Sequence, residues 1–179
     1  MMDRFNLRGE NIAISPEVWD EMYKVVPSKA LGIELDPSHM VWQGIDYIQS
    51  IYDYGDRIFH VHAKDMEIIN RVLQRVGIIG QAFGETVRQG HGARALGHGW
   101  WRARLPGWGQ IDWPKFISAL IETNYKGNID IEHEDDVFAA AHANQTLETS
   151  SGIVDIYGRE EKGLILGYNT LSKLIPPSD

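Results

Sequence analysis

Three short segments of this chain end in carboxylate and imidazole groups. The first reads Leu31-Gly32-Ile33-Glu34-Leu35 and runs into Asp36-Pro37-Ser38-His39. The second, Arg57 to His62 (RIFHVH), runs into Ala63-Lys64-Asp65. The third, Asn128 to Glu132 (NIDIE), runs into His133-Glu134-Asp135-Asp136. Carboxylate oxygens suit hard divalent cations, and imidazole shifts the preference toward Mn, Fe, Co or Zn. Each segment alone has a plainer reading. DxxH is also a helix N-cap with a surface His, HVH an alternating strand, and EHEDD a solvated acidic turn. Three such ends in register make a stronger case than any one of them.

The segments need a scaffold that brings their ends together. Apolar-rich strands alternating with helical patterns predict a parallel α/β architecture, in which ligands bind beyond the C-terminal ends of the strands. Ser15-Pro16-Glu17 opens a helix that carries Val18, Trp19, Met22, Val25 and Val26 to Pro27. A second helix is expected over Ile45–Tyr54, a third from Trp113 to about Thr123, and a last from about Glu160 to Leu174. Strand alternation puts His60 and His62 on one face. It also separates Ile129, Ile131 and His133 from Asp130, Glu132 and Glu134. The apolar set then meets the helices, and the acids face a polar interior.

Residues 1–15 read as an irregular arm. The stretch from about Met66 to Gly109 breaks the rhythm: a short helix near Glu67–Gln74, then a long loop rich in glycine and tryptophan. Asp36 and His62 are 26 residues apart, about one strand–helix unit, whereas His62 and Glu132 are 70 apart. The excess predicts that the 66–109 loop lies over the strands' C-terminal ends. Arg102 and Arg104, near its end, offer a contact to a substrate carboxylate or phosphate. The competing reading has the tryptophans pack the loop down and the arginines reach water.

Composition narrows the function classes. The chain has 179 residues, enough for one domain with a real core. Its 17 Lys and Arg against 25 Asp and Glu argue against a nucleic-acid surface. The absence of cysteine removes disulfides, zinc fingers, iron–sulfur clusters and thiol nucleophiles. No apolar run approaches the ~20 residues that span a bilayer, and the opening residues lack the apolar core of a secretion signal. The expected setting is the cytoplasm, with no membrane or nucleic-acid partner.

Four segments together resemble the sugar phosphate isomerase/epimerase family of xylose isomerase-like TIM barrels. They are LDPSHMVWQGID (Leu35–Asp46), GDRIFHVHAKD (Gly55–Asp65), RLPGWGQIDW (Arg104–Trp113) with FISAL (Phe116–Leu120), and GNIDIEHED (Gly127–Asp135). The resemblance implies barrel strands six to eight, hence a partial (β/α)8 barrel, since a full one takes ~250 residues. It implies one divalent ion (Mn, Mg, Co or Zn) held by Asp36, His62 and Glu132. It gives His39 and, more loosely, Lys64 to substrate, and makes Glu132 catalytic as well. The implied activity is metal-dependent isomerisation or epimerisation of a sugar or sugar phosphate, by proton or hydride transfer between adjacent carbons. Dehydratases share the scaffold. The family's fourth ligand, a mid-barrel Glu, has no counterpart in residues 1–15. The expectation is therefore a C-terminal portion that needs an N-terminal half-barrel partner, or associates through open strand edges as a homo-oligomer. The alternative is a non-catalytic fragment or subunit; an endonuclease IV-like DNA-repair enzyme fits the charge less well.

Overall fold

The computed structural model describes residues 12–78, 100–135, 137–138, 148–149, 152–153 and 159–176. Among these, six α-helices accompany seven short strands. The functional scaffold is a three-stranded parallel sheet of β1 (Ile33–Leu35), β2 (Ile58–Ala63) and β5 (Ile129–Ile131), in the order β1-β2-β5.

Local chemistry explains the helices that flank it. In α1 (Pro16–Val25), Ser15 Oγ accepts from the Val18 N–H at 3.5 Å and Pro16 occupies the first turn, where its missing N–H costs nothing. After β1 the sequence expectation needs a correction. The helix expected over Ile45–Tyr54 is present, starting two residues later, but it is not the first after β1. A separate α2 (Pro37–Gln43) precedes α3 (Tyr47–Tyr54). Asp36 caps α2, Gly44 closes it at φ +73°, and Asp46 accepts from the Ile48 and Gln49 N–H groups to start α3. The signals were present as Asp-Pro and as Gly two residues before Asp. In α5 (Trp113–Glu122) Asp112 is the cap, accepting from Lys115 N–H at 3.2 Å. The last helix, α6, is Arg159–Leu171.

These helices cover one face of the sheet. Leu35, Val61 and Ala63 are buried together with Ile51 of α3 and Phe116, Ile117 and Leu120 of α5. One irregularity shapes the opposite face. Ile33 pairs with Ile58 but Glu34 pairs with His60, so β2 carries Phe59 as an extra residue. The bulge lets Ile58 and Val61 both reach the core although three positions separate them. Phe59 turns its ring over Gly32, where any Cβ would collide with it.

The stretch expected to be mostly loop, 66–109, is more ordered at both ends than the sequence suggested. Strand β3 (Asp65–Ile68) pairs antiparallel with β4 (Trp101–Arg104), with Asp65 opposite Arg104 and Ile68 opposite Trp101. Between them α4 (Asn70–Val76) takes the place of the short helix expected near Glu67–Gln74. A second apolar cluster of Ile69, Val72 and Trp100 packs here with Trp42 of α2, whose ring stacks on Trp101 at 5.4 Å. The pair thus leaves the C-terminal end of β2 and docks beside α2. Residues 79–99, the middle of the expected loop, lie outside the described residues, as do residues 1–11 of the expected arm. Further along, β6 (Glu148–Thr149) and β7 (Gly152–Ile153) form a small antiparallel pair that the sequence reading did not anticipate.

Candidate metal centre

The face of the sheet away from the helices is lined with titratable groups. Glu34 lies between buried Ile33 and Leu35 and so points away from the core. His60 and His62 alternate with buried Val61 and Ala63. The β2–β5 register sets His62 beside Asp130 and Ala63 beside Ile131. The Glu132 N–H donates to Ala63 carbonyl at 3.3 Å, extending the ladder by one residue. Glu132 therefore falls on the polar face, as alternation predicts. His133 turns the other way, toward α6, where Gly163 leaves room for its ring.

At the C-terminal end of this face, Asp36, His62 and Glu132 converge. One ligand atom from each lies within 4.8 Å of the others. Each is placed by a different local device. Asp36 uses Oδ1 to cap α2, accepting from Ser38 N–H at 2.8 Å. The plain reading of DxxH as an N-cap is thus correct, yet it occupies only one oxygen. Oδ2 is buried and accepts no well-aligned hydrogen bond, with Lys64 Nζ at 3.1 Å and His39 Nε2 at 3.4 Å. His62 Nδ1 lies 3.1 Å from Glu132 Oε2. Two carboxylates and an imidazole, one carboxylate oxygen buried and short of donors, are a donor set that fits a divalent cation.

Lys64 stands in the middle of these acids with its side chain only 3% exposed. Its ammonium is 2.7 Å from Glu132 Oε2 and 3.0 Å from Glu134 Oε2. Burial works against its charge, but Asp36, Glu132 and Glu134 outweigh that, and its pKa is raised. His39, on the exposed side of α2, brings Nε2 within 3.4 Å of the Lys64 ammonium. Asp130 and Glu134 are exposed, yet both are paired. His60 Nε2 pairs with Asp130 Oδ2 at 3.0 Å, and Glu134 pairs with Lys64.

The two arginines of β4 reach acids of the chain itself. Arg102 Nε donates to Glu67 Oε2 at 2.6 Å. Arg104 donates to the same oxygen at 2.7 Å through Nη1, and to the fully buried Asp135 at 2.8 Å through Nε. Burial would push the Glu67 carboxyl up, but hydrogen bonds and charge from Arg102 and Arg104 hold it below its usual value of 4.5. A carboxyl lowered on folding adds stability above its unfolded pKa, and that stability is lost as pH falls through the folded value. Urea midpoints measured from about pH 6 down to about pH 3 should therefore fall less steeply for Glu67→Gln than for the parent chain. Equal slopes would show that the pairing contributes nothing.

Sequence reasoning placed Glu134 on the acidic face without a role and did not single out Glu34, which the same alternation puts on the polar face. Asp65 stands in the motif after the second strand, but nothing local marked it as a buried anchor. Its fully buried carboxylate accepts from the N–H groups of Met66 (2.8 Å), Gly107 (2.9 Å) and Ile111 (3.0 Å) and from the Trp113 indole (2.8 Å). It thereby ties the PGWGQIDW segment to the end of β2. Gly107 adopts φ +87°, and a Cβ on Gly109 would run into the Asp65 carboxylate and the Met66 carbonyl.

Comparison with known proteins agrees with this geometry. The family model described as a xylose isomerase-like TIM barrel matches residues 3–153. The uncharacterized protein YfiH of Bacillus subtilis (strain 168) is 34% identical over 108 residues, 59% of this chain and 31% of that protein. An inosose dehydratase of Clostridium botulinum (strain Eklund 17B / Type B) is 28% identical over 130 residues, 72% of this chain and 38% of that enzyme. Another, of Geobacillus kaustophilus (strain HTA426), is 27% identical over 151 residues, 84% of this chain and 44% of that enzyme. The chain spans from 31% to 44% of the length of these relatives. No described helix is long and apolar enough to cross a membrane. A parallel α/β sheet with acids and imidazoles at its strand ends, and a family match over most of its length, lead to one conclusion: the chain belongs to the xylose isomerase-like TIM barrel family.

Proposed function

We propose that β1, β2 and β5 are the last three strands of a (β/α)8 barrel, and that the chain carries the metal-binding side of a sugar- or polyol-modifying enzyme. The observation that carries this reading is the convergence of Asp36, His62 and Glu132 within 4.8 Å at the C-terminal strand ends. Further strands of the same barrel would close the polar face and add a fourth ligand and a second base. A divalent cation bound here supplies Lewis-acid polarisation of a substrate oxygen.

The chain's own residues then divide the remaining work. Asp36, His62 Nδ1 and Glu132 hold the ion. Lys64 and His39, which meet at the rim of the site, donate to hydroxyl or carbonyl oxygens of the substrate. Glu132 moves a proton at the carbon next to the carbonyl. That first step is common to isomerases, epimerases and dehydratases. The inosose dehydratase relatives favour a ketone of a polyhydroxylated ring as substrate and loss of water as the outcome.

Proton exchange in D2O tests the reading without presuming the product. The chain, joined to the rest of its barrel, should exchange the C–H beside the carbonyl of an inosose or ketose only when Mn2+ or Co2+ is present. The same proton NMR spectra separate dehydration from epimerisation. Metal-independent exchange, or none with any inosose or ketose while metal is bound, would sink the proposal.

A further inference from the structure

His62 is the one site residue with two jobs for its two ring nitrogens. Nδ1 lies 3.1 Å from Glu132 Oε2, and His62 shares a three-donor group with Glu132 and Asp36. Nε2 lies 2.9 Å from Glu34 Oε1, within ion-pair distance. A neutral imidazole carries one proton, so it can offer a lone pair on only one nitrogen. To present Nδ1 to a cation, His62 must keep its proton on Nε2. Glu34 is the acceptor waiting there.

We infer that Glu34 is a positioning residue that holds His62 in the Nε2–H tautomer and so presents Nδ1 as the ligand. The inference rests on the metal-centre reading above. Three further observations support it. Glu34 lies two residues before Asp36 on the same strand face, so one strand delivers both a ligand and the partner of a second ligand. The bulge at Phe59 sets Glu34 opposite His60 instead of Phe59, which brings it within reach of His62 along the strand. His60 does not compete for the Glu34 contact at 2.9 Å, because its own Nε2 is 3.0 Å from Asp130.

Glu34, His60 and His62 also form a three-donor group of their own, within 4.8 Å. A second cation there would have to take His62 Nε2 while the first takes Nδ1. That requires stripping the ring of its last proton. A carboxylate accepting Nε2–H achieves the same contact without it. Outer partners of this kind fix ligand orientation and typically change metal affinity 10–100-fold.

The test uses the full chain and the variants Glu34→Ala and Glu34→Gln. The side-chain oxygen of Gln still accepts from Nε2–H, so it serves as the conservative rescue. The first readout needs no metal: nitrogen–proton correlations of the His62 ring, well above the imidazole pKa range. The parent and Glu34→Gln should show the proton on Nε2, and Glu34→Ala a mixture of tautomers. The second is Co2+ titration by calorimetry. Affinity should fall about 10–100-fold in Glu34→Ala and stay within a few-fold in Glu34→Gln, with one ion per chain. A proton on Nδ1 in the parent chain, an Ala variant indistinguishable from the parent, or two ions per chain lost together with Glu34 would overturn the inference and leave the metal centre standing. An intact Nε2–H signal in a parent chain that binds no Co2+ would instead sink the metal centre and leave the tautomer assignment standing.

Discussion

Replacing Asp65 by alanine should cost about 3–5 kcal/mol of folding stability, a large part of the whole for a domain of ordinary stability. The reason is the number of donors it leaves behind. The carboxylate is fully buried and accepts from three backbone N–H groups and the Trp113 indole. Each buried donor left without an acceptor costs about 1–3 kcal/mol, and only partial relaxation is open to a segment pinned at Gly107 and Gly109. Asn is no substitute, because its amide nitrogen would face donors that the second carboxylate oxygen now satisfies. Urea unfolding followed by tryptophan fluorescence measures the effect, and Trp113 itself reports on the broken contact. A midpoint equivalent to less than about 1 kcal/mol of loss would mean that water replaces the carboxylate, and that this anchor does not hold the segment.

The second large effect concerns metal affinity rather than folding. Asp36→Ala, His62→Ala and Glu132→Gln should each weaken Mn2+ or Co2+ binding by more than about 100-fold, since even outer partners of a ligand change affinity 10–100-fold. Their folding costs differ. His62 and Glu132 are part-exposed, with side chains 29% and 33% accessible, so their variants should stay folded. Asp36 also caps α2, so its variant adds about 1 kcal/mol of destabilisation from the lost cap. Asp36→Asn separates the two roles: it keeps an oxygen for Ser38 N–H while removing the charge that a cation needs. Equilibrium dialysis with metal analysis reads the affinity, and circular dichroism checks the fold. A Glu132→Gln chain that still binds at parental affinity would remove Glu132 from the ligand set.

Lys64 bears on that measurement. Its ammonium is held by the same oxygens that would take the ion, at 3.1 Å from Asp36 and 2.7 Å from Glu132. Two cations cannot share them at such distances without strong repulsion. Binding of a metal must therefore displace the ammonium from Asp36 and Glu132. Glu134, at 3.0 Å, lies outside the three-donor group and remains as its partner.

How much of this was legible without coordinates follows from the range of each signal. Strand alternation is local and fixed by backbone geometry, so NIDIE by itself placed Ile131 toward the helices and Glu132 toward the polar face. The helix starts at Ser15-Pro16 and the strands at RIFHVH and NIDIE followed for the same reason. Asp36-Pro37 carried a cap signal too, and it marks the start of α2, a helix additional to the one expected over Ile45–Tyr54.

Tertiary structure decided whatever depends on which distant groups meet. Arg102 and Arg104 read as anion contacts because nothing near them in sequence neutralises them. Their partners, Glu67 and Asp135, arrive through the β3–β4 pairing and the turn after β5, 31 to 37 residues away. The burial of Lys64 among three acids and of Asp65 among four donors likewise depends on segments up to 70 residues apart. The bulge at Phe59 is a one-residue slip between β1 and β2, invisible in the composition of either strand, and it is what brings Glu34 to His62. Sequence by itself thus determined the kinds of donor and the faces they occupy, because side-chain direction is set one residue at a time. Which donors pair, and which remain available for an ion, was decided only by strand register and burial, because both arise between parts of the chain that the local pattern cannot relate.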